Sequence, residues 1–332
     1  MRPTKKQILV TLVVMLPLIL WSSAVIALAG GVGGVVWGAR TLLAGVAFIV
    51  LFSSLVMHRR AWIGVIAITA ILTSGWAMTA PSLDRQWLEF AQRTPYASVD
   101  GSKVTIHDVR NFRYKSNTEW TPGWYDETYD VDEIEQGYLV LTRFGGIDGL
   151  AHVMVSFRFK GDKYLVYSVE IRKEVGESYH PVGGAMRQYE LFYVAADERD
   201  AIALRTHVHK DETWLIPMNA GKQKTGEFFL DMTRRMTKLH TEPEWYNSFT
   251  SSCASNLAAH YETVNNVTFP PDYRVLLPGF SEELLAELDL LPAGMSVADA
   301  QAAFRVNSLV NMLPVDEGFS KRLRPKEYPP TP

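Results

Sequence analysis

The stretch AHVMVSFRFKGDKYLVYSVEIRK, Ala151 to Lys173, contains two runs of alternating side chains separated by a short glycine-containing turn. In each run, β-branched and aromatic residues recur at every second position, which is typical of a strand with one face against a core. Val153, Val155 and Phe157 point one way and His152 points the other. The stretch therefore predicts a β-hairpin with a histidine on its second face.

The length of the turn decides which residue lies opposite His152. A three-residue loop, Lys160 to Asp162, pairs His152 with Glu170 across the strands, whereas a two-residue loop pairs it with Ile171. Directly opposed Cβ atoms lie about 5 Å apart, so the first register would let a carboxylate hold the imidazole. The sequence leaves both registers open.

The segments around this hairpin predict more strands and then helices. The other predicted strands are short and rich in β-branched and aromatic residues: VTIHDVRNFRY, YLVLTRFG, QYELFYVA and AIALRTHV. Helical patterns follow at Lys222 to His240, from Cys253 onward, and at Ser281 to Leu288. A sheet followed by helices predicts an α+β domain, an antiparallel sheet with helices packed on it.

Three apolar runs precede this domain, at about 8–28, 41–57 and 62–78. Each is near the length that crosses a bilayer core as a helix. We therefore expect a three-helix transmembrane anchor over residues 1–80.

Basic residues orient these predicted spans. Arg2, Lys5 and Lys6 precede the first run, and Arg59 and Arg60 lie between the second and third. The positive-inside rule then puts the amino terminus in the cytoplasm and everything after the third span outside it. The sequence thus predicts a multi-pass membrane protein with an extracytoplasmic domain.

The remaining boundaries follow from composition. Residues 81–102 include SLDRQWLEFAQR (Ser82 to Arg93), which has helical spacing and predicts a linker helix. The extracytoplasmic domain is expected at 103–320, and the Pro-rich end, 321–332, is expected to be disordered. Without the anchor, the chain has 27 Lys and Arg against 36 Asp and Glu, a net charge of −9, which argues against nucleic acid as a partner.

The only cysteine, Cys253, lies in SFTSSCASNLAAHYE, Ser248 to Glu262, and cannot form an internal disulfide. Ser251 or Ser252 can cap a helix that begins at the cysteine. A thiol in the first turn faces free N–H groups and the positive end of the helix dipole, which lower its pKa. The alternative is a buried cysteine that acts as a small hydrophobic side chain. An exported, unpaired thiol is exposed to oxidation, which favours a functional role.

A nucleophilic cysteine needs a base, and His152 beside Glu170 gives a Cys–His–acid set. His260 is seven residues along the same helix as Cys253, about 10.5 Å of rise, so we expect it to pack or to face solvent. His207 and His209 share one face of a predicted strand but have no third ligand nearby. We therefore expect no metal site and no cofactor.

Several segments carry a family resemblance, in order along about 150 residues. They are VRNFRY, WYDETYD, AHVMVSF, VEIRKEVGESY, RQYELFYVAADERD and PEWYNSFTSSCASN. Together they resemble the Lnb N-terminal periplasmic domain family, which is similar to a permuted papain-like thiol fold related to the NlpC and lecithin:retinol acyltransferase group. In that fold the histidine strand precedes the cysteine helix. Members of the family are implicated in moving a fatty acyl chain from phospholipid to the amino terminus of bacterial lipoproteins.

The resemblance implies roles for single residues. Cys253 would be the nucleophile, His152 the base and Glu170 the orienting acid. Three basic residues are candidates to hold a phosphate, although solvated surface charge is the alternative: Arg172, Lys173 and Arg187. The implied partners are phospholipid, lipoprotein or another envelope substrate, and the membrane. The implied location is the bacterial inner membrane.

We therefore expect a cysteine-dependent acyltransferase or hydrolase that works through a thioester on Cys253. Two alternatives remain: a thiol peptidase or amidase acting on cell-wall peptides, and a non-catalytic binding or assembly module of the envelope. An apolar groove near Cys253 would favour acyl chemistry over a peptidase, which needs a polar groove. A buried Cys253 far from His152 would favour the non-catalytic module.

Overall fold

The computed structural model describes residues 5–28, 40, 43–48, 61–310 and 313–324. The chain divides into two units that are interleaved in sequence. The first is made of Met1–Leu88, Ile171–Glu190 and Pro243–Ser248. The second is made of Glu89–Glu170, Leu191–Glu242 and Phe249–Pro332.

Strands and helices alternate only loosely along the chain. The strands are β1 Tyr96–Asp100, β2 Lys103–Arg110, β3 Arg113–Tyr114, β4 Trp120–Thr121, β5 Trp124–Asp130, β6 Ile134–Arg143, β7 Ala151–Phe159, β8 Lys163–Arg172, β9 Glu190–Ala196 and β10 Glu212–Pro217. The helices are α1 Lys5–Leu28, α2 Ala61–Met78, α3 Pro181–Ala185, α4 Glu198–Ala203, α5 Gly221–Thr241, α6 Cys253–Asn265, α7 Tyr273–Leu276, α8 Ser281–Glu287, α9 Val297–Phe304, α10 Asn307–Val310 and α11 Phe319–Arg322.

Within the described ranges, one sheet has eight strands in the order β1-β2-β9-β8-β7-β6-β10, and β5 also pairs with β2. Strands β3 and β4 form a separate two-stranded sheet. The hairpin partners β7 and β8 lie at the centre of the order and are antiparallel. The predicted α+β class, a sheet with helices, is what the described residues form.

The β7–β8 register follows from its turn. Phe159 pairs with Lys163 and Met154 with Ser168, so the loop has three residues. Gly161 in this loop has φ 81°, a left-handed conformation that glycine adopts without steric cost. The same register puts His152 opposite Glu170, which is one of the two pairings that the sequence leaves open.

Helix α5 covers one face of this hairpin. The ring of its Phe229 lies 5.3 Å, centroid to centroid, from both Phe157 and Phe159, and it stacks on Tyr167 at 5.7 Å. On the opposite face, Met154 belongs to an apolar cluster that reaches the residues of α4. Both faces are thus buried, which makes β7 a rigid support for His152.

Polar groups join the two helices near the amino terminus, within the first unit. The hydroxyls of Ser22 and Thr69 are 2.9 Å apart, and the Trp21 indole N–H donates to Thr73 Oγ1 at 2.8 Å. Among the described residues, no helix combines the length and the apolar character that a bilayer span requires. The predicted three-helix transmembrane anchor is therefore wrong for this part of the chain.

The prediction was based on the hydrophobicity of the three runs. It did not consider the Ser, Thr and Trp side chains through which α1 and α2 form hydrogen bonds with each other. Helices do occur at the first and third predicted positions. The predicted second span, 41–57, lies mostly outside the described residues. The multi-pass location depended on these spans, and the described helices do not confirm it.

The predicted linker helix at Ser82 to Arg93 is also wrong, apart from a 3₁₀ turn at Glu89–Ala91. Residues 86–88 pair with 173–175 instead. The Leu88 N–H donates to the carbonyl of Lys173 at 2.9 Å, and the Val175 N–H donates to that of Gln86 at 2.7 Å. Strand-like pairing thus satisfies the backbone groups that a helix would have used internally.

The segment AIALRTHV, predicted as a strand, is helical. Asp197 caps α4 by accepting from the Arg199 N–H at 2.8 Å, and a π-helix, Leu204–His209, continues it. The buried carboxylate of Asp200 accepts two hydrogen bonds from Arg110, each 2.9 Å. Capping and this ion pair outweigh the strand preference of the β-branched residues.

The predicted disordered tail begins with ordered residues. Helix α11 includes the first two of them, and Arg324 donates to Glu198 Oε1 at 2.6 Å beneath the sheet. Residues 325–332 lie outside the described part of the chain.

Candidate active site

Cys253 is the first residue of α6, in the second unit. Ser252 is its N-cap and forms a capping box with Ser255: the Ser255 N–H donates to Ser252 Oγ, and the Ser252 N–H donates to Ser255 Oγ at 2.7 Å. The sequence predicted a cap at Ser251 or Ser252, and the structure has it at Ser252. The cap fixes the first turn and leaves the cysteine where backbone N–H groups lack helical partners.

Strands β7 and β8 bring the other two predicted residues to the thiol. His152 Nε2 lies 3.0 Å from Glu170 Oε1, and its ring lies close enough to the Cys253 sulfur for each group to shift the pKa of the other. Ser168 bridges the pair, with its hydroxyl 2.7 Å from His152 Nε2 and donating to Glu170 Oε1 at 2.8 Å. The structure therefore brings Cys253, His152 and Glu170 together.

Arg205 adds a positive charge behind the acid. Its Nη2 lies 3.5 Å from Glu170 Oε1, and its Nη1 lies 3.9 Å from Asp211 Oδ2. Arg205 belongs to the π-helix that sequence reasoning predicted as a strand, so its position was not foreseen. It helps to keep the Glu170 carboxylate ionised beside the histidine.

Charges in this cluster shift the pKa values of Cys253, His152 and Glu170. Burial alone would lower the pKa of His152, but the Glu170 carboxylate and the Cys253 sulfur outweigh burial and raise that pKa to about 9. Burial opposes ionisation of Glu170, yet the adjacent imidazolium holds the pKa of its carboxyl well below the usual range. Burial likewise raises the pKa of the Cys253 thiol, but His152 outweighs it, and the net pKa is lowered.

A backbone donor also faces the sulfur. The Val153 N–H lies near the Cys253 sulfur and lowers the pKa of the thiol further. Pairing between β7 and β8 ends with Met154 and Ser168. The Val153 N–H therefore lies one residue beyond the last pair. A thiolate held by an imidazolium and an N–H donor is the reactive form of cysteine.

His260 has a different environment within the same unit. It is buried, its Nδ1 lies 2.7 Å from Asp231 Oδ2, and its Nε2 lies 2.7 Å from the Tyr193 hydroxyl. That hydroxyl is also 3.1 Å from Asn256 Oδ1, and Asn256 Nδ2 donates to the Ser252 carbonyl at 2.8 Å. This chain of contacts ends at the cap of the Cys253 helix.

The three predicted phosphate ligands belong to the first unit. The Arg172 guanidinium lies 4.1 Å from the centroid of the Trp87 ring. Arg187 donates to the carbonyls of Trp76 and Ala77 at 3.2 and 2.9 Å. The carbonyl of Lys173 accepts a backbone hydrogen bond. Their role toward a phosphate stays a prediction.

An apolar cavity of about 90 Å³ lies along α6 in the second unit. Ala254, Leu257 and Ala258 of α6 form one wall, and Val153 and Val155 of β7 belong to another. Val153 thus lines the cavity with its side chain while its N–H faces the sulfur. The site combines a thiolate with an apolar space beside it.

Residues 120–279 match the sequence model of the Lnb N-terminal periplasmic domain family. This segment belongs to that family. The predicted family is thereby confirmed, and the Lnb domain contains Cys253, His152 and Glu170. As a periplasmic domain, it supports the predicted extracytoplasmic location of this part of the chain.

Neither the curated proteins nor the solved structures contain a significant match to the chain. The likeness of the Lnb domain to a permuted papain-like fold therefore stays a prediction. The order that it requires, with the histidine strand before the cysteine helix, is present in β7 and α6.

Sequence reasoning missed several residues around the site. Ser168 lies two positions before Glu170, so strand alternation alone would have placed it on the same face. Tyr193, Asp231 and Asn256 come from three separate elements, and no local pattern signals that they meet at His260.

Proposed function

We propose that the Lnb domain is a cysteine-dependent acyltransferase or hydrolase that forms a thioester on Cys253. The observation that carries the proposal is the contact of Cys253 with His152 while His152 holds Glu170 at 3.0 Å. A nucleophile, a base and an orienting acid in mutual contact are the groups that acyl transfer requires.

In the first step, the Cys253 thiolate attacks the carbonyl carbon of an ester. A C–S bond forms, the C–O bond to the alcohol breaks, and the imidazolium of His152 gives its proton to the leaving alkoxide. The Val153 N–H and the free N–H groups at the start of α6 are donors suited to the oxyanion. The product is an acyl-thioester on Cys253 and an alcohol.

In the second step, an amine or a water molecule attacks the thioester. Neutral His152 takes the proton of the attacking group, the new C–N or C–O bond forms, and the C–S bond breaks to return the thiolate. Glu170 and Ser168 hold the ring in one orientation through both steps. An amine acceptor gives acyl transfer, and water gives hydrolysis.

The cavity beside Cys253 favours acyl groups over peptides. Its walls come mainly from Val, Leu and Ala side chains, which give a peptide backbone no hydrogen-bond partners. A peptidase or amidase of the same fold would need a polar groove there. The contact between Cys253 and His152 likewise disfavours a purely non-catalytic module. Phospholipid and lipoprotein are the proposed donor and acceptor.

Intact-mass measurement tests the proposal directly. Full-length protein is incubated with phosphatidylethanolamine vesicles, and the expected result is a mass increase of one acyl group that hydroxylamine at neutral pH removes. Cys253→Ser is the control for the site of attachment. An unchanged mass in the wild-type protein under these conditions, or an equal increase in Cys253→Ser, would contradict the proposal.

A further inference from the structure

The apolar cavity runs along α6 from Ala254, the residue after the nucleophile, to Tyr261. Cys253, Leu257 and Tyr261 are spaced four residues apart, so they lie on one side of the helix. Leu257 and Tyr261 line the cavity. Eight residues of helix rise about 12 Å, so a chain attached to the sulfur can run along this side and enter the cavity.

The wall facing α6 comes from the segment after it. Leu284, Leu285 and Leu288 line the cavity from α8 and its end, and Leu290 follows them. These side chains close the space opposite Leu257. A ligand there meets apolar surface on both sides.

Two polar residues of the lining, Arg274 and Ser281, are already engaged. Arg274 donates to Asp272 and reaches Glu287 Oε2 at 2.6 Å, and the Ser281 hydroxyl donates to the carbonyl of Pro278 at 2.7 Å. Neither lacks a hydrogen-bond partner, and of the other lining residues only Tyr261 carries a hydroxyl, so the lining is predominantly apolar. An aliphatic chain matches it.

The size of the cavity limits what enters. A volume of about 90 Å³ equals about three water molecules and is smaller than the ~150 Å³ space that holds a benzene ring. It accepts a segment of an unbranched chain and excludes bulky groups. We infer that this cavity holds the acyl chain of the thioester on Cys253, and that the site selects its donor by the length and shape of that chain. The inference rests on the proposed function.

Two neighbouring alanines of α6 provide a matched test. Ala258 lines the cavity, whereas Ala259 is exposed. Full-length Ala258→Phe and Ala259→Phe are acylated with p-nitrophenyl acetate and p-nitrophenyl octanoate, and p-nitrophenolate release gives the ratio of octanoyl to acetyl rates. We expect Ala258→Phe to lower this ratio at least about tenfold and Ala259→Phe to keep the wild-type ratio.

A second variant changes the cavity in the opposite direction. Leu284→Ala enlarges it and should raise the dodecanoyl to octanoyl ratio of the corresponding esters. Unchanged ratios in both Ala258→Phe and Leu284→Ala would overturn the inference, as would equal loss of both esters in a folded Ala258→Phe protein.

Failure of the proposed function has a different signature. If neither ester acylates wild-type Cys253, the proposed thioester chemistry is wrong, and this result does not test the cavity. Octanoate binding to full-length Cys253→Ser, followed by thermal shift, then tests the cavity separately. A shift that Ala258→Phe abolishes in this background and Ala259→Phe keeps supports the cavity as an aliphatic site, and a shift equal in both variants contradicts it.

Discussion

Two buried histidines of the second unit each contact a carboxylate, yet their pKa values shift in opposite directions. His152 lies 3.0 Å from Glu170, and its pKa is raised to about 9. His260 lies 2.7 Å from Asp231, but burial outweighs that carboxylate and lowers the pKa of the ring. The shorter ion-pair distance thus belongs to the histidine whose charged form is disfavoured.

The groups on the other side of each ring explain the difference. His152 faces the Cys253 sulfur, which adds a second negative charge. His260 faces the neutral Tyr193 hydroxyl, and the positive charges of Arg234 and Arg235 lower its pKa further. A carboxylate contact by itself therefore does not decide the direction of a histidine pKa shift. The charge on the opposite side of the ring separates the two residues.

The largest expected effect comes from replacing the group that faces each histidine on the side away from its carboxylate, which is Cys253 for His152 and Tyr193 for His260. Cys253→Ser removes the thiolate and should lower ester turnover by about 10³-fold or more, while Tyr193→Phe, an equally small change at the other histidine, should keep turnover within about threefold. Ester turnover by the purified full-length variants measures both. Similar losses in the two variants would remove the distinction between the two histidines.

Thiol reactivity gives the next effect. His152→Ala takes away the imidazolium, so the thiol pKa rises and alkylation by iodoacetamide at pH 7 should slow about tenfold. His260→Ala should leave the rate within about twofold, because its ring contacts Tyr193 and Asp231 rather than the sulfur. Alkylation that needs denaturant in the wild-type protein would show a packed, unreactive thiol.

The pH dependence of turnover should separate the two carboxylates. Because His152 must carry the proton for the leaving alkoxide, activity should fall as pH rises through about 9. Glu170→Gln removes the charge that raises this pKa, so the alkaline limb should move down by about one pH unit or more. Asp231→Asn should leave the limb in place. If the alkaline limb moves in Asp231→Asn and not in Glu170→Gln, then His260 rather than His152 supplies the proton.

The smallest effect concerns the pH dependence of stability. The folded pKa of His152 is raised, so its stabilising contribution is complete below an unfolded pKa of about 6.5 and is lost as pH rises through 9. The folded pKa of His260 is lowered, so its contribution is present above pH ~6.5 and decreases as pH falls below it.

Urea unfolding at pH 5, 7 and 9 measures both contributions. The cost of His152→Gln, about 1–3 kcal/mol, should shrink toward pH 9, and that of His260→Gln should shrink toward pH 5. The same pH trend in both variants would mean that the two rings share one electrostatic environment.

The central hairpin and the cysteine cap were predictable because local rules decide them. Strand alternation fixed the faces of β7, and Ser251 and Ser252 are both strong N-cap residues. The loop length, on which the register of His152 depends, was left open by the sequence. Each of these depends on residues that are close in sequence. The same rules identified Cys253, His152 and Glu170, whose catalytic roles stay predictions.

The failed predictions have long-range causes. The segment 198–209 is helical because Asp197 caps it and Asp200 pairs with Arg110, which is 90 residues away in the chain. Residues 86–88 do not form a helix because they pair with 173–175. The anchor was predicted from hydrophobicity, which carries no information on the contacts between α1 and α2. Neither propensity nor periodicity detects such partners.

The length of the turn Lys160–Asp162 makes the hairpin sensitive to codon deletions in the gene. The turn lies eight residues from His152 along β7, roughly 26 Å at ~3.3 Å per residue, and contacts none of the proposed catalytic groups. Loss of one codon there leaves two residues between Phe159 and Lys163. A hairpin that restores a three-residue loop must then take Lys163 into it, which puts Ile171 in place of Glu170 opposite the histidine. In a population of related genes, we therefore expect the length of this turn to be inherited as strictly as the identity of Cys253, while its amino acids vary.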